Sequence, residues 1–357
     1  VRTSNTTCRR GFLKASLLGG LAAATGRGVS RAAVADRGTG EAPPSRVALT
    51  AGDDRAANVF EGLRPFRRQV AEAIGDRRVV VKPNNVSVEI QLASTHPQAL
   101  EGILEFLKSI GKIGNAVIAE SAANGPTMEG FANFGYPEVA KRYGVKLIDL
   151  DAEPTETIHV FDQKDFRPHA VRMSRLLLDD DSYLISAAML KTHDQVVATL
   201  SLKNIVFGAP IKDLGFRWGR GRKPGLTTQK PIAHGSGVYG INYNLFTLSQ
   251  RLRPDLAVID GYAGMEGNGP SNGTPVDHRV AVVSPDWLAA DRVGIELMGI
   301  DLAKIGYLTY CADAGFGQAD LDRIEVLGEP VARHVRSYKL HDKVDRQLLW
   351  RTPPEIV

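Results

Sequence analysis

Short apolar runs recur along the chain, each followed by a helical stretch and each closed by a cluster of polar side chains. Residues 47–50, 78–81, 116–119, 146–150, 183–189, 255–259, 279–283 and 324–327 read as strands. The runs at 78–81 and 183–189 are apolar at consecutive positions rather than alternating ones, as expected of strands covered on both faces. Helical spacing fills the gaps: from Arg55, broken at Pro65 and resumed over 69–74; then 97–109, 137–143, 237–252, 285–299 and 303–311. Pro97 and Pro285 suit first helical positions, with Ser94, Thr95 or His96 capping one helix and Ser284 the other. Strand and helix alternating at this rhythm predict an α/β fold with a largely parallel central sheet and flanking helices.

Three segments break the rhythm. Residues 152–181 hold two strand-like runs, 157–161 and 170–173, and predict a small inserted antiparallel lobe, with Asp179-Asp180-Asp181 as a solvated turn. Residues 209–235 are interrupted by Gly and Pro and read as a long basic loop or lid. Between Lys191 and Lys230 there are eight basic side chains against Asp194 and Asp213. The main domain is expected over 46–328, and the basic, polar tail from 329 to 357 predicts nothing.

The polar clusters carry the chemistry. Met189-Leu190-Lys191-Thr192-His193-Asp194-Gln195 follows the apolar run 183–189, and Lys203-Asn204 then sits between apolar neighbours. Burying such groups without partners costs kilocalories each, so they are expected to face one another, a ligand or a cleft. Lys82-Pro83-Asn84-Asn85, Thr95-His96, Glu120-Ser121 and Asp260-Gly261 also lie at element ends. In parallel α/β sheets ligands bind beyond the carboxyl ends of the strands, which is where these clusters converge.

Lys82, Lys191 and Lys203 with Asn84, Asn85 and Asn204 would supply donors for a carboxylate, phosphate or sulfate; lysines paired with carboxylates on a rim is the plainer alternative. His193 and His96 suit proton transfer or metal ligation, or else capping and core positions, with His234 a weaker candidate. Asp260, Glu266 and Glu120 would suit a divalent metal, although ion pairing to the lysines competes with that reading. Gly267 to Gly273 reads as a turn rather than a phosphate cradle, and neither a dinucleotide fingerprint nor a Gly-x-Ser-x-Gly elbow is present. Asp291 and Cys311 read as structural.

Composition changes the picture at one end only. The chain has 357 residues, 43% hydrophobic and 24% charged, with a formal charge of +4. Residues 1–35 hold six basic side chains and no acidic one, leaving 38 basic against 40 acidic in the rest, so no nucleic-acid footprint remains. Cys8-Arg9-Arg10-Gly11-Phe12-Leu13-Lys14, the weakly apolar stretch 15–25 and Ala33-Val34-Ala35 resemble a twin-arginine (Tat) export signal. That predicts passage through the Tat translocase, cleavage near residue 35, a linker over 36–45, and a periplasmic or extracellular destination. The apolar stretch is too short and Gly-rich for a stable membrane span. Loss of Cys8 would leave Cys311 alone, which excludes an internal disulfide or an iron–sulfur cluster from this chain.

Taken in order, Val81-Lys82-Pro83-Asn84, Thr95-His96-Pro97, Ala119-Glu120-Ser121, Leu190-Lys191-Thr192-His193, Ser201-Leu202-Lys203-Asn204 with Phe207-Gly208, Asp260-Gly261, Met265-Glu266-Gly267-Asn268-Gly269-Pro270, Ala289-Ala290-Asp291-Arg292-Val293 and Met298-Gly299 form a set. This ordered set resembles the domain-of-unknown-function 362 (DUF362) family over roughly residues 45–328. Some relatives carry Cys-rich, ferredoxin-like segments; this chain has none. The expectation is an enzyme acting on a small anionic substrate: lysines anchor the anion, His193 moves a proton, and Asp260 and Glu266 hold a cation or orient the base. The alternative is a periplasmic binding or metal-handling protein without turnover. A His193 remote from any carboxylate or lysine would favour that alternative.

Overall fold

The computed structural model describes residues 44–352. The Tat-like segment, its cleavage site, nearly all of the linker and the last five residues lie outside the described part. Eleven strands are present among the described residues: β1 (Ser45–Ala51), β2 (Arg78–Lys82), β3 (Ala116–Glu120), β4 (Lys146–Asp149), β5 (Thr155–Asp162), β6 (Arg167–Ser174), β7 (Ser182–His193), β8 (Val197–Thr199), β9 (Leu256–Asn268), β10 (Asn272–Ser284) and β11 (Ile324–Gly328).

Nine of them make one sheet in the order β11-β1-β10-β9-β7-β2-β3-β4, with β8 added to β7. β9, β7, β2, β3 and β4 run parallel, whereas β10 is antiparallel to both β9 and β1. The largely parallel α/β architecture is therefore as the alternating pattern predicts. β5 and β6 form a separate two-stranded hairpin from Thr155 to Ser174, which Met173 bridges to Pro210 at the start of the basic segment.

Both faces of the sheet are covered, which explains the unbroken apolar runs. Val79, Val81, Tyr183 and Ile185 pack on one side with helices Arg55–Leu63 and Pro97–Ser109. Val80, Leu184, Ala188 and Ile259 pack on the other with Ser201–Val206, Val238–Ser249 and Trp287–Leu297. Alternate residues of one strand thus serve two separate apolar layers, the arrangement of parallel sheets generally.

Local expectations differ from the structure at three places. β7 does not stop at Met189 but runs on through Lys191-Thr192-His193, all of it buried. The turn expected over Gly267 to Gly273 is shorter than that: β9 runs on past Asp260 as far as Asn268, hydrogen-bonded to β10, and only residues 269–271 turn. The glycines of β9 serve packing, since a Cβ at Gly264 would overlap the Tyr338 side chain that lies against it. That tyrosine belongs to the tail, which docks: Tyr338 is buried and Gln347 accepts a hydrogen bond from Val197 N at 2.6 Å. Finally, Asp286 rather than Ser284 caps the helix Trp287–Leu297, accepting from Leu288 N and Ala289 N, while Ser284 positions Asp286.

Helices Arg55–Leu63 and Pro97–Ser109 cross closely enough that a Cβ on Gly102 would lie 2.5 Å from Ala56 O and 2.9 Å from Val59 Cβ. Neither neighbour can move without shifting backbone. Gly102→Ala is expected to lower the unfolding free energy by about 1–3 kcal/mol, as overpacking does, read as a reduced midpoint in urea denaturation.

Candidate functional site

After β2 the chain moves outward to β3 and β4, then returns to the other side of β2 as β7. The gap between β2 and β7 is therefore the point where the strand order reverses, and the crevice beyond it is the expected ligand position of such sheets. A cleft of about 480 Å³ opens there. Lys82, Asn84 and Asn85 reach it from the end of β2, Glu120 from β3, His193 from β7, and Lys203 and Asn204 from helix Ser201–Val206. Seven of the eleven site residues expected from sequence thus line one cavity.

The short helix is set in place by Asp291, whose carboxylate accepts from Ser201 N at 2.8 Å, Leu202 N at 3.2 Å and the Ser201 hydroxyl at 2.5 Å. Burial pushes this carboxyl up to about 7 against the pull of those donors. Its structural role matches the sequence reading, with a sharper meaning: Asp291 orients the helix that presents Lys203 and Asn204.

The floor is a closed polar network. Lys82 Nζ donates to Glu120 Oε1 at 2.7 Å, Pro83 O at 2.9 Å and Asn204 Oδ1 at 3.2 Å, so each of its three protons has an acceptor. Glu120 also accepts from Ser121 N and, through its other oxygen, from Asn85 N. Asn204 donates to Lys82 O at 3.1 Å and Ser186 Oγ at 3.0 Å, bridging β2, β7 and the short helix. A Cβ on Gly208 would overlap both the Lys82 side chain and Asn204 O, so glycine is required where the lysine passes. Burial lowers the Lys82 ammonium and Glu120 pulls it back up. Lys82, Asn204 and Glu120 are the frame of the site; their polar atoms are already occupied.

The walls differ. Lys203 is buried on its stem, with its ammonium 5.4 Å from the Phe207 ring centroid and no hydrogen bond or ion pair among the described residues. Burial lowers it to about 8, with Lys82 repelling it and Asp194 at the rim working the other way. Lys230 Nζ donates to Pro210 O at 2.9 Å and to Phe207 O and Gly208 O at 3.4 Å, and burial lowers it to about 7. Asn84 Nδ2 donates to Asn204 Oδ1, yet Asn84 Oδ1 and Thr199 Oγ1 have no partner although both are buried. Asn85 Nδ2 is also without one, but turning that amide over would give it Tyr136 Oη, whose single proton is otherwise claimed by Thr95 O and Asn85 Oδ1 together.

Two imidazoles line the same cavity in opposite tautomers. His193 Nδ1 lies 3.0 Å from Gln195 N, and a backbone amide only donates, so the ring proton sits on Nε2. The Asp194 carboxylate approaches the same Nδ1 at 3.1 Å, which is repulsive in this tautomer. That side chain is exposed and can turn to water whereas the backbone amide is fixed, so the amide decides the assignment. His234 Nδ1 lies 2.5 Å from Lys230 O, which only accepts, so that ring carries its proton on Nδ1 and a lone pair on Nε2. Burial and then Lys203 hold both rings neutral, His234 down to about 3 and His193 well below the usual histidine range.

Four expected residues lie elsewhere. Lys191 is wholly buried and donates to Ala93 O at 3.0 Å beneath the site, where burial, then Lys203, depresses its ammonium. His96 caps helix Pro97–Ser109 by accepting from Gln98 N, and burial with Arg55 holds it down to about 4. Asp260 pairs with Arg55 at 3.3 Å, and Glu266 accepts from Lys339 N of the docked tail. The metal grouping of Asp260, Glu266 and Glu120 is thus not realised: the three carboxylates have separate partners, and no three His, Cys, Asp or Glu converge on a metal position among the described residues.

Sequence reasoning missed Lys230, Thr199 and Trp218, and ranked His234 too low. Lys230 and Trp218 lie in the basic segment, which has no periodic pattern to place them; only its surplus of charge hinted at them. That segment is fastened rather than free: Arg217 pairs with Glu89 and Glu129, and Trp218 N donates to Asn124 O at 3.1 Å. Further back, Lys212 and Asp151 form a buried pair with Thr127 and Ser121 against the Asp.

The fold and site define an α/β protein with a lysine-rich cleft at its strand-order reversal. The chain belongs to the family described as a domain of unknown function (DUF362), whose model matches residues 79–296. It is also similar to a thylakoid-associated protein of Synechocystis sp. (strain ATCC 27184 / PCC 6803 / Kazusa), with 24% identity over 268 residues, 74% of this chain and 76% of the relative. No solved structure matches it.

Lys82→Met would strand the Glu120 carboxylate without its cation and is expected to cost about 3–5 kcal/mol, the usual penalty for breaking a buried pair. Glu120→Gln added to Lys82→Met should recover part of that loss, giving a favourable coupling in a double-mutant cycle followed by chemical denaturation.

Proposed function

We propose that this protein is an enzyme acting on a small anionic substrate held in the cleft beyond β2 and β7. The observation that carries the reading is the excess of buried cations. Glu120 balances Lys82, but neither Lys203 nor Lys230 forms an ion pair among the described residues, and Asp194, the other carboxylate lining the cavity, is exposed at its rim. Leaving such charges uncompensated costs several kilocalories unless a ligand supplies the counter-charge. The unpartnered Asn84 Oδ1 and Thr199 Oγ1 on the same walls would take a ligand hydroxyl or carbonyl.

Turnover rather than simple storage is favoured by the histidines. His193 is not remote from charge: it sits in the fields of Lys203, His234 and Lys191. A binding protein has no use for one neutral imidazole offering a proton and another offering a lone pair in the same cavity. In this reading Lys203 and Lys230 anchor the anion, His234 Nε2 accepts a proton and His193 Nε2 donates a hydrogen bond to substrate oxygen. The reading also takes the protein as exported through the Tat translocase to the periplasm or beyond, resting on the pattern of residues 1–35. No helix of the described residues is long and apolar enough to cross a membrane.

The pH dependence follows from the lysines. Their folded values, about 8 for Lys203 and about 7 for Lys230, lie below the free value of 10.5, so the unfolded chain holds more protons between them. Their contribution to stability is therefore fully present above about 10.5 and lost as pH falls through 8 and 7. A bound anion reverses this penalty. Thermal denaturation with added phosphate or succinate should show the largest upward shift below pH 7, and affinity by calorimetry should weaken roughly tenfold or more toward pH 9. Lys203→Met should remove most of the shift; a shift that is flat with pH, or unchanged in that variant, would sink the proposal.

A further inference from the structure

Of the three lysines in the cleft, two are tied. Lys82 gives its protons to a carboxylate, an amide oxygen and a carbonyl; Lys230 gives its own to three backbone carbonyls. Lys203 alone has a buried stem and a nitrogen with no hydrogen-bond partner among the described residues, beside an aromatic ring and facing the cavity. Anchoring an anion does not require a third lysine left in that state. A nucleophile does: an amine reacts through its lone pair, which must be free of other engagements and cheap to unprotonate.

We propose that Lys203 is a covalent amine that forms an imine with the aldehyde or ketone carbon of the substrate, so that the substrate class is a small oxo-acid. The inference rests on the anion-binding reading above and narrows it: with an oxo-acid, the positive charge of Lys230 and the unpartnered Asn84 and Thr199 walls hold the acid end, and Lys203, an anchor for simple anions, meets the carbonyl instead. The step balances. The neutral Nζ lone pair forms a bond to the carbonyl carbon as the C=O π bond breaks, and one nitrogen proton passes by way of His234 Nε2 to the oxygen. The second nitrogen proton follows by the same route, the C–O bond breaks, and water leaves, carrying both protons. His193 Nε2–H donates to the oxygen throughout. Neither an oxidant nor a metal is needed.

The setting favours this chemistry over surface amines. Desolvation disfavours the ammonium, and it outweighs the opposing pull of Asp194 at the rim, with Lys82 adding a smaller repulsion, so a far larger fraction of Lys203 is unprotonated at neutral pH than of an exposed lysine. The helix Ser201–Val206 is held by Asp291, so the amine starts from a fixed base.

The test is reductive trapping on the full chain with glyoxylate and cyanoborohydride at pH 7, followed by peptide mapping of all lysines. Lys203 is expected to be modified at least about tenfold faster than exposed lysines such as Lys164 or Lys223. Succinate should slow that reaction, and Lys203→Arg, which keeps a cation in place, should abolish it at this position. The same samples are followed by thermal denaturation with phosphate. Modification spread over exposed lysines with Lys203 untouched, while phosphate still stabilises, would overturn the covalent role and leave the anion site standing. No trapping at Lys203 together with no stabilisation by any anion would overturn both.

Discussion

The ion pair between Lys82 and Glu120 is the interaction on which the rest of the site depends. Two charges are placed at adjacent strand ends, nearly out of reach of solvent. Their attraction alone would not compensate the loss of water. The remaining balance comes from saturation: the ammonium has three acceptors, and the carboxylate collects two backbone amides besides the lysine. Because those partners come from β2, β3, the turn after β2 and the helix bearing Asn204, the pair fixes four pieces of chain relative to one another. A polar network of this kind is worth having only when every member is satisfied, and here the glycine at 208 is what leaves room for it.

A frame so fully occupied changes what the neighbouring groups must be. Glu120 neutralises one lysine, and the cleft holds two more, with both imidazoles forced neutral by burial and by the same positive field. The functional character therefore follows from a shortage of buried acids rather than from any single motif. The frame also separates roles that the residue types alone do not: Lys82 and Lys203 have the same chemistry on paper, yet one is saturated and the other is not.

Much of this was legible in the chain because its physics is local. Apolar runs without alternation fixed a sheet covered on both faces, and polar residues closing those runs pointed to the carboxyl ends where Lys82, Glu120, His193 and Lys203 do meet. What was not legible depends on distant partners. Whether Lys191 opens to the cavity or ends on Ala93 O turns on the path of a loop a hundred residues earlier in the chain. Whether Asp260 meets Glu266 turns on β9 continuing as a strand, which glycine-rich sequence argues against and which the docking of Tyr338 from the tail explains. Lys230 gave no signal beyond the surplus of charge in its segment, since the single helical turn that carries it, Lys230–Ala233, is too short to show a period.

The tail shows how far such dependence extends. Gln347 takes the amide of Val197, a β-branched residue held at a φ of 65° where β8 begins, directly after the turn that follows His193. Left-handed backbone at a valine is costly and persists only where its surroundings over-determine it. The surroundings here are β8 paired to β7 on one side and a glutamine some 150 residues away on the other. The orientation of His193, set by Gln195 in that same turn, therefore rests on a segment that carries no catalytic-looking residue of its own. A polar, basic tail is chemically silent when read alone; its contribution is to hold the backbone that decides on which nitrogen the imidazole keeps its proton.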